Sequence, residues 1–297
     1  MADWTIGLST GCCWKAGIFE CLEDIRDCGF DLIEICSHPG HLDYHDLPLV
    51  RRAASLIRSL GLEAHSFHAP FAERIDITSL EEDARAAARQ ELMRAAEAAA
   101  ILEAKYFVVH PGPEKTAFPE RERFARLGNA ADVLDQVYHH SGNLGVNLVL
   151  ENMLPHLFAG RIENLLWIME TLKGRGVGIC VDTGHGYLGC NLPEIVQLSA
   201  GHLRLVHASD NRGHRDDHLA PGDGGIDWSI LLRQLLDVGY DGALILEIAE
   251  LEDRRLTLEA ASRGREYLCD CAQALESRIW PKLGDKLQVG ERYPARS

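Results

Sequence analysis

Acidic and imidazole side chains end six apolar runs of the sequence, and together they could bind a metal ion. The residues concerned are His68, His110, Glu151, Asp182, His207 and Glu247, and His185 follows Asp182 by three positions. One charged residue after an apolar run is common, but six that are only His, Asp or Glu are hard to obtain by chance. Burying such charges together is unfavourable unless a cation or hydrogen bonds compensate. Imidazole combined with carboxylate suits Zn²⁺, Mn²⁺, Fe²⁺ or Co²⁺, whereas Ca²⁺ and Mg²⁺ prefer all-oxygen sites.

The segment 207–228 adds a second group of candidate ligands. Asp216 and His218 form a D-x-H pair. In an extended segment, residues i and i+2 project to the same side, so both could reach one ion. Arg212 and Arg215 are the only arginine or lysine residues of this segment. We interpret them as candidates for binding a substrate phosphate or hydroxyls, with surface charge as the alternative.

The elements that must position these residues are short β-rich runs that alternate with helical patterns. The eight runs are 4–8, 32–36, 63–67, 106–110, 147–151, 178–182, 203–207 and 243–247. Such alternation implies parallel strands joined by right-handed crossovers. Glycine just past a helix is a C-cap, and Gly29, Gly61, Gly145, Gly176 and Gly239 each precede a strand in this way. Eight repeated units predict an α/β protein with a single (β/α)8 TIM barrel, whose active site forms at the C-terminal strand ends. An open sheet of eight strands is the alternative.

The length of the chain, 297 residues, is ordinary for one such barrel, which needs about 250 residues. We therefore predict a catalytic domain over 1–275 and a C-terminal extension over 276–297. The polar tail would either pack on the barrel or serve as an oligomer arm, and the sequence leaves both alternatives open.

Charge and cysteine content limit the compartment and the partners. Nine cysteines without a CxxC pair indicate free thiols, and the N-terminal residues lack a signal peptide pattern. No apolar run approaches the roughly 20 residues of a membrane span, so we expect a cytoplasmic chain without a membrane partner. The net charge of −15 counts against nucleic acid as a partner, although it does not exclude a local basic strip on the surface.

Several phrases, taken in order, resemble one known superfamily. They are GFDLIEI, HAP, VVHPG, LEN, VDTGH, HASDN, DxHLxxGxGxIDW and LEI. In this order they are similar to the xylose-isomerase-like barrels, which include sugar phosphate isomerases and epimerases, inosose dehydratases and type IV apurinic endonucleases. The resemblance covers about residues 4–270.

The resemblance implies two possible ligand sets. Glu151, Asp182, His207 and Glu247 match the single-metal site of the ketose epimerases. His185 matches a residue that contacts substrate in the epimerases and metal in the endonucleases. The remaining positions match further ligands of a three-zinc cluster in the endonucleases, namely His68, His110, Asp216 and His218. The chain keeps all of these positions, so the resemblance implies one to three divalent ions, Zn²⁺ or Mn²⁺.

Two features favour the sugar branch. Glu34 ends the second strand, as in the sugar isomerases, and Pro-Gly-Pro-Glu-Lys follows His110 where an endonuclease would have Gly-Ser-His. We therefore expect a metal-dependent isomerase or epimerase that acts on a sugar or sugar phosphate. A zinc-dependent phosphodiesterase resembling the apurinic endonucleases is the alternative. A barrel that binds sugar without turnover is the third hypothesis, and its signature would be tight binding with no solvent-hydrogen exchange.

The resemblance also implies roles for particular residues. Glu151 and Glu247 would be the acid/base pair that moves a proton next to a carbonyl, through a metal-stabilised ene-diolate. His185 would orient a substrate oxygen, and Trp14, in the first strand-to-helix loop, could stack on a sugar ring. Dimers and tetramers are common in the resembling family, so a homodimer or homotetramer is expected.

Overall fold

The computed structural model describes residues 4–114 and 118–288, and the side chains of the last helix as far as residue 275. The strands are β1 (Ile6–Ser9), β2 (Leu32–Cys36), β3 (Glu63–His68), β4 (Tyr106–Val109), β5 (Asn147–Glu151), β6 (Gly178–Asp182), β7 (Leu203–Ala208) and β8 (Leu244–Leu246). All are parallel and pair in chain order, and β8 pairs with β1 to close the barrel. The predicted (β/α)8 TIM barrel is confirmed, and the open sheet is excluded.

Helices pack around this barrel and alternate with its strands. They are α1 (Leu22–Asp27), α2 (Leu47–Ser59), α3 (Glu82–Ile101), α4 (Arg123–Asn143), α5 (Ile162–Thr171), α6 (Thr183–Leu188), α7 (Leu192–Leu198), α8 (Trp228–Asp237) and α9 (Arg254–Gln288). The five glycines predicted to end helices all have positive φ, between 73° and 84°, which is the C-cap conformation expected of them. Among the helices of the described residues, none combines the length and apolar character needed to cross a membrane.

The last helix extends further than the sequence pattern indicates. The helical pattern is read as ending at Leu275, but α9 continues without a break to Gln288. The first part of the predicted C-terminal extension therefore continues the helix, and residues 289–297 lie outside the described residues. The division of the chain at 275 stays a prediction.

The lumen of the barrel explains how the strand ends come to hold polar groups. The side chains of successive strand residues point to opposite sides, so if one residue points into the barrel, the residue two positions away does so too. In β5 to β8 the residue two positions before each candidate ligand is buried in one small apolar cluster. These residues are Val149, Cys180, Leu205 and Ile245. The candidate ligands therefore lie directly above a packed apolar layer.

A short helix that the sequence does not indicate, α6, follows β6. Its sequence TGHGYL contains two glycines, which are unfavourable in a helix interior. The Asp182 side chain caps it by accepting a hydrogen bond from the His185 amide at 2.6 Å. A Cβ atom at Gly184 would lie 2.4 Å from the Ser209 Oγ, so the close approach of α6 to the end of β7 requires glycine there. This helix places His185 beside Asp182.

The long loop between β7 and α8 is organised by one buried carboxylate. Asp210 accepts hydrogen bonds from the backbone amides of Asn211, Gly222 and Ile226, at 2.9, 3.1 and 3.1 Å. It also accepts one from the indole Nε1 of Trp228 at 2.9 Å. The loop that carries Asp216 and His218 is thus fixed at both ends by the same side chain.

Candidate metal centre

Side chains from four neighbouring strands converge at the C-terminal end of the barrel. Glu151, Asp182, His207 and Glu247 each present one ligand atom, and these atoms all lie within 4.8 Å of one another. The Nδ1 of His207 lies 3.4 Å from the Glu151 Oε2 and 3.1 Å from the Glu247 Oε2. Three of the four residues are buried and Glu247 is half-buried. This arrangement brings together residues separated by nearly a hundred positions in the sequence.

Two further groups adjoin the first. His68 joins Glu151 and His207 in one, and His185, Asp216 and His218 form the other, each with its ligand atoms within 4.8 Å of one another. The two residues of the D-x-H pair contact each other, with the His218 Nε2 2.8 Å from the Asp216 Oδ2.

His110 lies at the edge of this cluster. Its Nε2 is 3.5 Å from the Glu151 Oε2, and its Nδ1 is hydrogen-bonded to the Glu114 Oε1 at 2.9 Å. All nine residues that the sequence offers as ligands therefore lie at one end of the barrel.

The five imidazoles share one arrangement. In each ring one nitrogen bonds outward to a carbonyl or carboxylate oxygen, while the other faces an acidic side chain of the cluster. The outward partners of the Nδ1 atoms are the carbonyls of Ala69 for His68, Asn152 for His185 and Glu247 for His218, and the carboxylate of Glu114 for His110. His207 is reversed, since its Nε2 bonds to Glu34. Such outer hydrogen bonds fix the tautomer that leaves the inner nitrogen free to bind a metal.

Several buried atoms at the centre have no hydrogen-bond partner among the residues that the structure describes. They are the Glu151 Oε2, the His207 Nδ1, the Glu247 Oε2 and the Asp216 Oδ1. Unpaired buried carboxylate oxygens are costly unless something compensates for their charge. A divalent cation is the partner that this combination of oxygen and imidazole atoms suits, so the residues present fit a metal ion.

The carboxylates of the cluster have strongly shifted pKa values. Burial alone would raise the pKa of Glu151, but the charges of His207 and His110 lower it well below its usual range. At Glu247 burial would likewise raise the pKa, but the charge of His207 outweighs it and the pKa is lowered to about 2. At Asp182 burial prevails over His185 and raises the pKa to about 6. The two glutamates are therefore ionised at neutral pH and can act as ligands or as proton acceptors.

The imidazoles are shifted in the opposite direction. Burial lowers the pKa of His110 and of His218, but Glu151 and Asp216 outweigh it and raise the two values to about 9 and about 10. The pKa of His207 is also raised well above its usual range, because burial is outweighed by Cys180, Glu34 and the cluster carboxylates. Without a cation, the acidic cluster thus retains protons on its imidazoles.

Two glutamates at the site are not among the ligands or catalytic groups that the sequence predicts, although Glu34 is one of the features that favour the sugar branch. Glu34 is fully buried and accepts hydrogen bonds from the Ser66 Oγ at 2.8 Å and from the His207 Nε2 at 2.9 Å. It is the third of the five residues of β2, two positions before the strand ends, so a rule that takes the last residue of each strand does not find it. Glu114 lies in a loop four residues after His110, and no sequence pattern indicates its contact.

Two cavities lie on either side of the cluster. One, of about 100 Å³, is lined by cluster residues together with Glu114, Met153 and Leu157. The other, of about 580 Å³, shares His68, His218 and Glu247 with it and extends over the ends of β1, β2, β3 and β8. Trp14 lines the larger cavity, as its predicted contact with substrate requires.

The two arginines predicted to bind substrate, Arg212 and Arg215, are not in the described lining of either cavity. Arg215 has 81% of its side chain exposed and pairs with Asp217. Arg212 is exposed in the same loop. Among the described residues that line the two cavities, neither arginine is present. Arg74, which no sequence pattern indicates, lines the larger cavity.

Comparison with known proteins identifies the family. The model of the xylose isomerase-like TIM barrel family matches residues 22–271, so the chain belongs to that family. Uncharacterized protein MJ1311 of Methanocaldococcus jannaschii is 29% identical over 290 residues, which are 94% of this chain and 93% of that protein.

Two of the relatives have names that state different activities. A ketose 3-epimerase of Arthrobacter globiformis is 29% identical over 245 residues, 78% of this chain and 77% of that enzyme. "Probable endonuclease 4" of Mycobacterium leprae is 26% identical over 232 residues, 75% of this chain and 86% of that protein. Among solved structures, a D-tagatose 3-epimerase-like protein is similar with a TM-score of 0.81 and 25% identity, covering 93% of this chain and 99% of that one.

Proposed function

We propose that this protein is a divalent-metal-dependent sugar isomerase or epimerase. The observation that carries the proposal is the arrangement of the five imidazoles, each bonded outward on one nitrogen and facing the carboxylates of Glu151, Glu247 or Asp216 with the other. The similarity to a ketose 3-epimerase and to a D-tagatose 3-epimerase-like structure supports a sugar as the substrate.

The metal would be held by the strand-end residues. Glu151, Asp182, His207 and Glu247 supply one complete set of four ligand atoms, and His68, His110, His185, Asp216 and His218 could hold further ions. The ligand types suit Zn²⁺ or Mn²⁺, and we propose one to three ions. A cation bound there would stabilise the negative charge that develops on substrate oxygens when a neighbouring C–H bond breaks.

Glu151 and Glu247 would transfer the proton. Both carboxylates have lowered pKa values and are ionised near neutral pH, as a proton acceptor must be. They come from β5 and β8, and their Oε2 atoms approach the same His207 nitrogen. One would remove the proton next to the sugar carbonyl, and the other, after taking up a proton from solvent, would return a proton to the opposite face. The Nε2 of His185, whose Nδ1 is held by the Asn152 carbonyl, would orient a substrate oxygen.

The Glu151→Gln variant tests this assignment. General acid–base catalysis contributes about 10²- to 10⁴-fold, so we expect kcat to fall by that factor with any ketose that is turned over. The measurements are incorporation of solvent deuterium into the sugar and metal content per chain. Glu194→Gln is the matched control, because Glu194 is exposed on α7. Wild-type turnover by Glu151→Gln would disprove the assignment.

A zinc-dependent phosphodiesterase is the second candidate, favoured by the two extra ligand groups and by the similarity to the endonuclease 4 relative. Under this proposal about three zinc ions per chain would be found, and duplex DNA with an abasic site would be cut. About one ion per chain and no cleavage by the zinc-loaded protein would remove this candidate and leave the epimerase.

A further inference from the structure

The larger cavity beside the cluster is bigger than one sugar ring requires. Its volume is about 580 Å³, and its inner wall includes His68, His218 and Glu247. Cavities of about 300–1,000 Å³ accommodate drug-sized ligands, whereas a ketohexose has only about twelve non-hydrogen atoms. A single ketose held against Glu247 would leave the outer part of the cavity filled with water.

Two exposed aromatic side chains line this cavity. Phe71 has 53% of its surface exposed and packs against His68 and His110 of the cluster, whereas Trp14, with 40% of its surface exposed, lies in the first strand-to-helix loop. Trp14 meets His38 edge to face, with ring centroids 4.8 Å apart, so its orientation is fixed by a neighbour. Exposed aromatic rings in a cavity are typical of a binding surface, and a flat ring suits the C–H face of a pyranose.

The charges around this part favour a neutral group over a phosphate. Glu250 lines the cavity and would repel a phosphate dianion, whereas the charge of Glu247, which also lines it, would be balanced by the bound cation. Lys15 lies 3.5 Å from Glu250 and compensates for one of these charges. Arg74 is the arginine of the lining, and phosphate sites usually combine several donors around one anion. A single guanidinium in the described lining is better suited to hydroxyl groups.

From the cavity's size, aromatic wall and charge, we infer that the substrate is a ketose that carries a second sugar ring, that is, a glycosylated ketose. The inference rests on the function proposed above and specifies its substrate class. The ketose carbonyl and the carbon next to it lie against the cluster at Glu247, and the glycosyl ring lies over Trp14 with its hydroxyls toward Arg74.

The experiment compares three classes of sugar in D₂O with the metal-loaded, full-length protein. The probes are free D-fructose, two glucosyl-fructoses with free C1 to C3 (isomaltulose and leucrose), and fructose 6-phosphate. We expect kcat/KM for deuterium incorporation to be at least about tenfold higher for a glucosyl-fructose than for fructose. A factor of this size corresponds to the free energy of one aromatic contact. Equal or higher values for fructose or for its phosphate overturn the inference and leave the proposed function intact. Exchange into none of the sugars overturns both.

A variant comparison tests the position of the second ring. Trp14→Ala is expected to lower kcat/KM for the preferred glucosyl-fructose about tenfold more than for fructose. Phe124→Ala is the matched control, since Phe124 is an exposed aromatic on α4 and should leave the ratio unchanged. Binding of isomaltulose measured by calorimetry gives a second readout without turnover. An unchanged preference and affinity in Trp14→Ala would contradict the inference.

Discussion

His207 differs from the other imidazoles of the cluster in what holds its outer nitrogen. Three of the other rings bond to backbone carbonyls, and His110 bonds to the partly exposed Glu114, whereas His207 bonds to a fully buried carboxylate. A carboxylate that accepts the outer N–H makes the inner nitrogen a stronger ligand. Glu34 therefore contributes to the proposed metal site through His207, without lying among its ligand atoms.

The Glu34→Gln variant tests this contribution. The amide keeps the shape of the side chain but accepts a weaker, neutral hydrogen bond from the His207 Nε2. Loss of such outer partners lowers metal affinity about 10- to 100-fold, and we expect an effect at the lower end of this range. Competition with a chromophoric chelator measures the dissociation constant for Zn²⁺ or Mn²⁺.

Ser66→Ala is the control for this prediction. It removes the other hydrogen bond to Glu34, which is 2.8 Å long, and leaves the bond to His207 in place. Its metal affinity should stay closer to that of the wild type than the affinity of Glu34→Gln does. Unchanged affinity in Glu34→Gln would show that the buried carboxylate serves only packing or folding.

At the scale of elements, the loop between β7 and α8 connects fold and site. Asp216 and His218 of this loop face the cluster, while Asp210 fixes the loop through four accepted hydrogen bonds. The part of the loop that carries Asp216 and His218 is also closed by a short antiparallel bridge between Asp210 and Leu219. Because the loop is held so tightly, its ligands are in position before any cation binds.

Asp210→Ala should therefore affect both stability and metal binding. It leaves three backbone amides and one indole N–H without their acceptor, and we expect the free energy of unfolding to fall by about 3–5 kcal/mol. Urea unfolding of the metal-free protein measures this change. Asp223→Ala in the same loop is the control, because Asp223 is exposed and should change stability by less than about 0.5 kcal/mol. An Asp210 variant as stable as this control would contradict the interpretation.

At the scale of the whole molecule, the sequence predicts the barrel well because its strands repeat a strong local signal. Each β-rich run is followed by a helix, and the glycines that end helices, such as Gly61 and Gly239, have the expected positive φ. The helix α6 is not predictable in this way, because its glycines lower its helix propensity and Gly184 is required by the close approach of Ser209, which follows a different strand. The contact of Glu114 with His110 also depends on a loop path that no periodicity indicates.

In the site, too, the features that depend on local sequence could be predicted, whereas those that depend on distant contacts could not. Ligand candidates at strand ends could be identified because barrel geometry brings all C-terminal ends together. Arg212 and Arg215 share a loop with Asp216, yet they lie outside the described lining of both cavities, while Arg74 reaches the larger cavity from the loop after β3. Which cation faces a cavity depends on how each loop folds back, and a single sequence carries little information on this.

The same cluster also couples the stability of the whole molecule to pH and metal. In the metal-free protein the pKa values of His110 and His218 are raised, so their protonated imidazoles stabilise the fold. This stabilisation is fully present only below about pH 6.5, the usual pKa of histidine. This contribution is lost as the pH rises through about 9 and about 10. A bound cation requires the same nitrogens without their protons, so cation and protons compete.

We therefore expect the stabilisation by metal to increase with pH between 6 and 9. A ligand at one hundred times its dissociation constant raises the free energy of unfolding by about 2.7 kcal/mol. For chains slightly shorter than this one, each kcal/mol raises Tm by about 2–4 °C. At pH 6 protonated imidazoles weaken binding, so the rise in Tm on adding Zn²⁺ or Mn²⁺ should be smaller than at pH 8. Calorimetry in buffers of different ionisation enthalpy should also detect protons released on binding at pH 8. A metal-induced change in Tm that is the same at both values, with no proton release, would show that these imidazoles do not bind the ion.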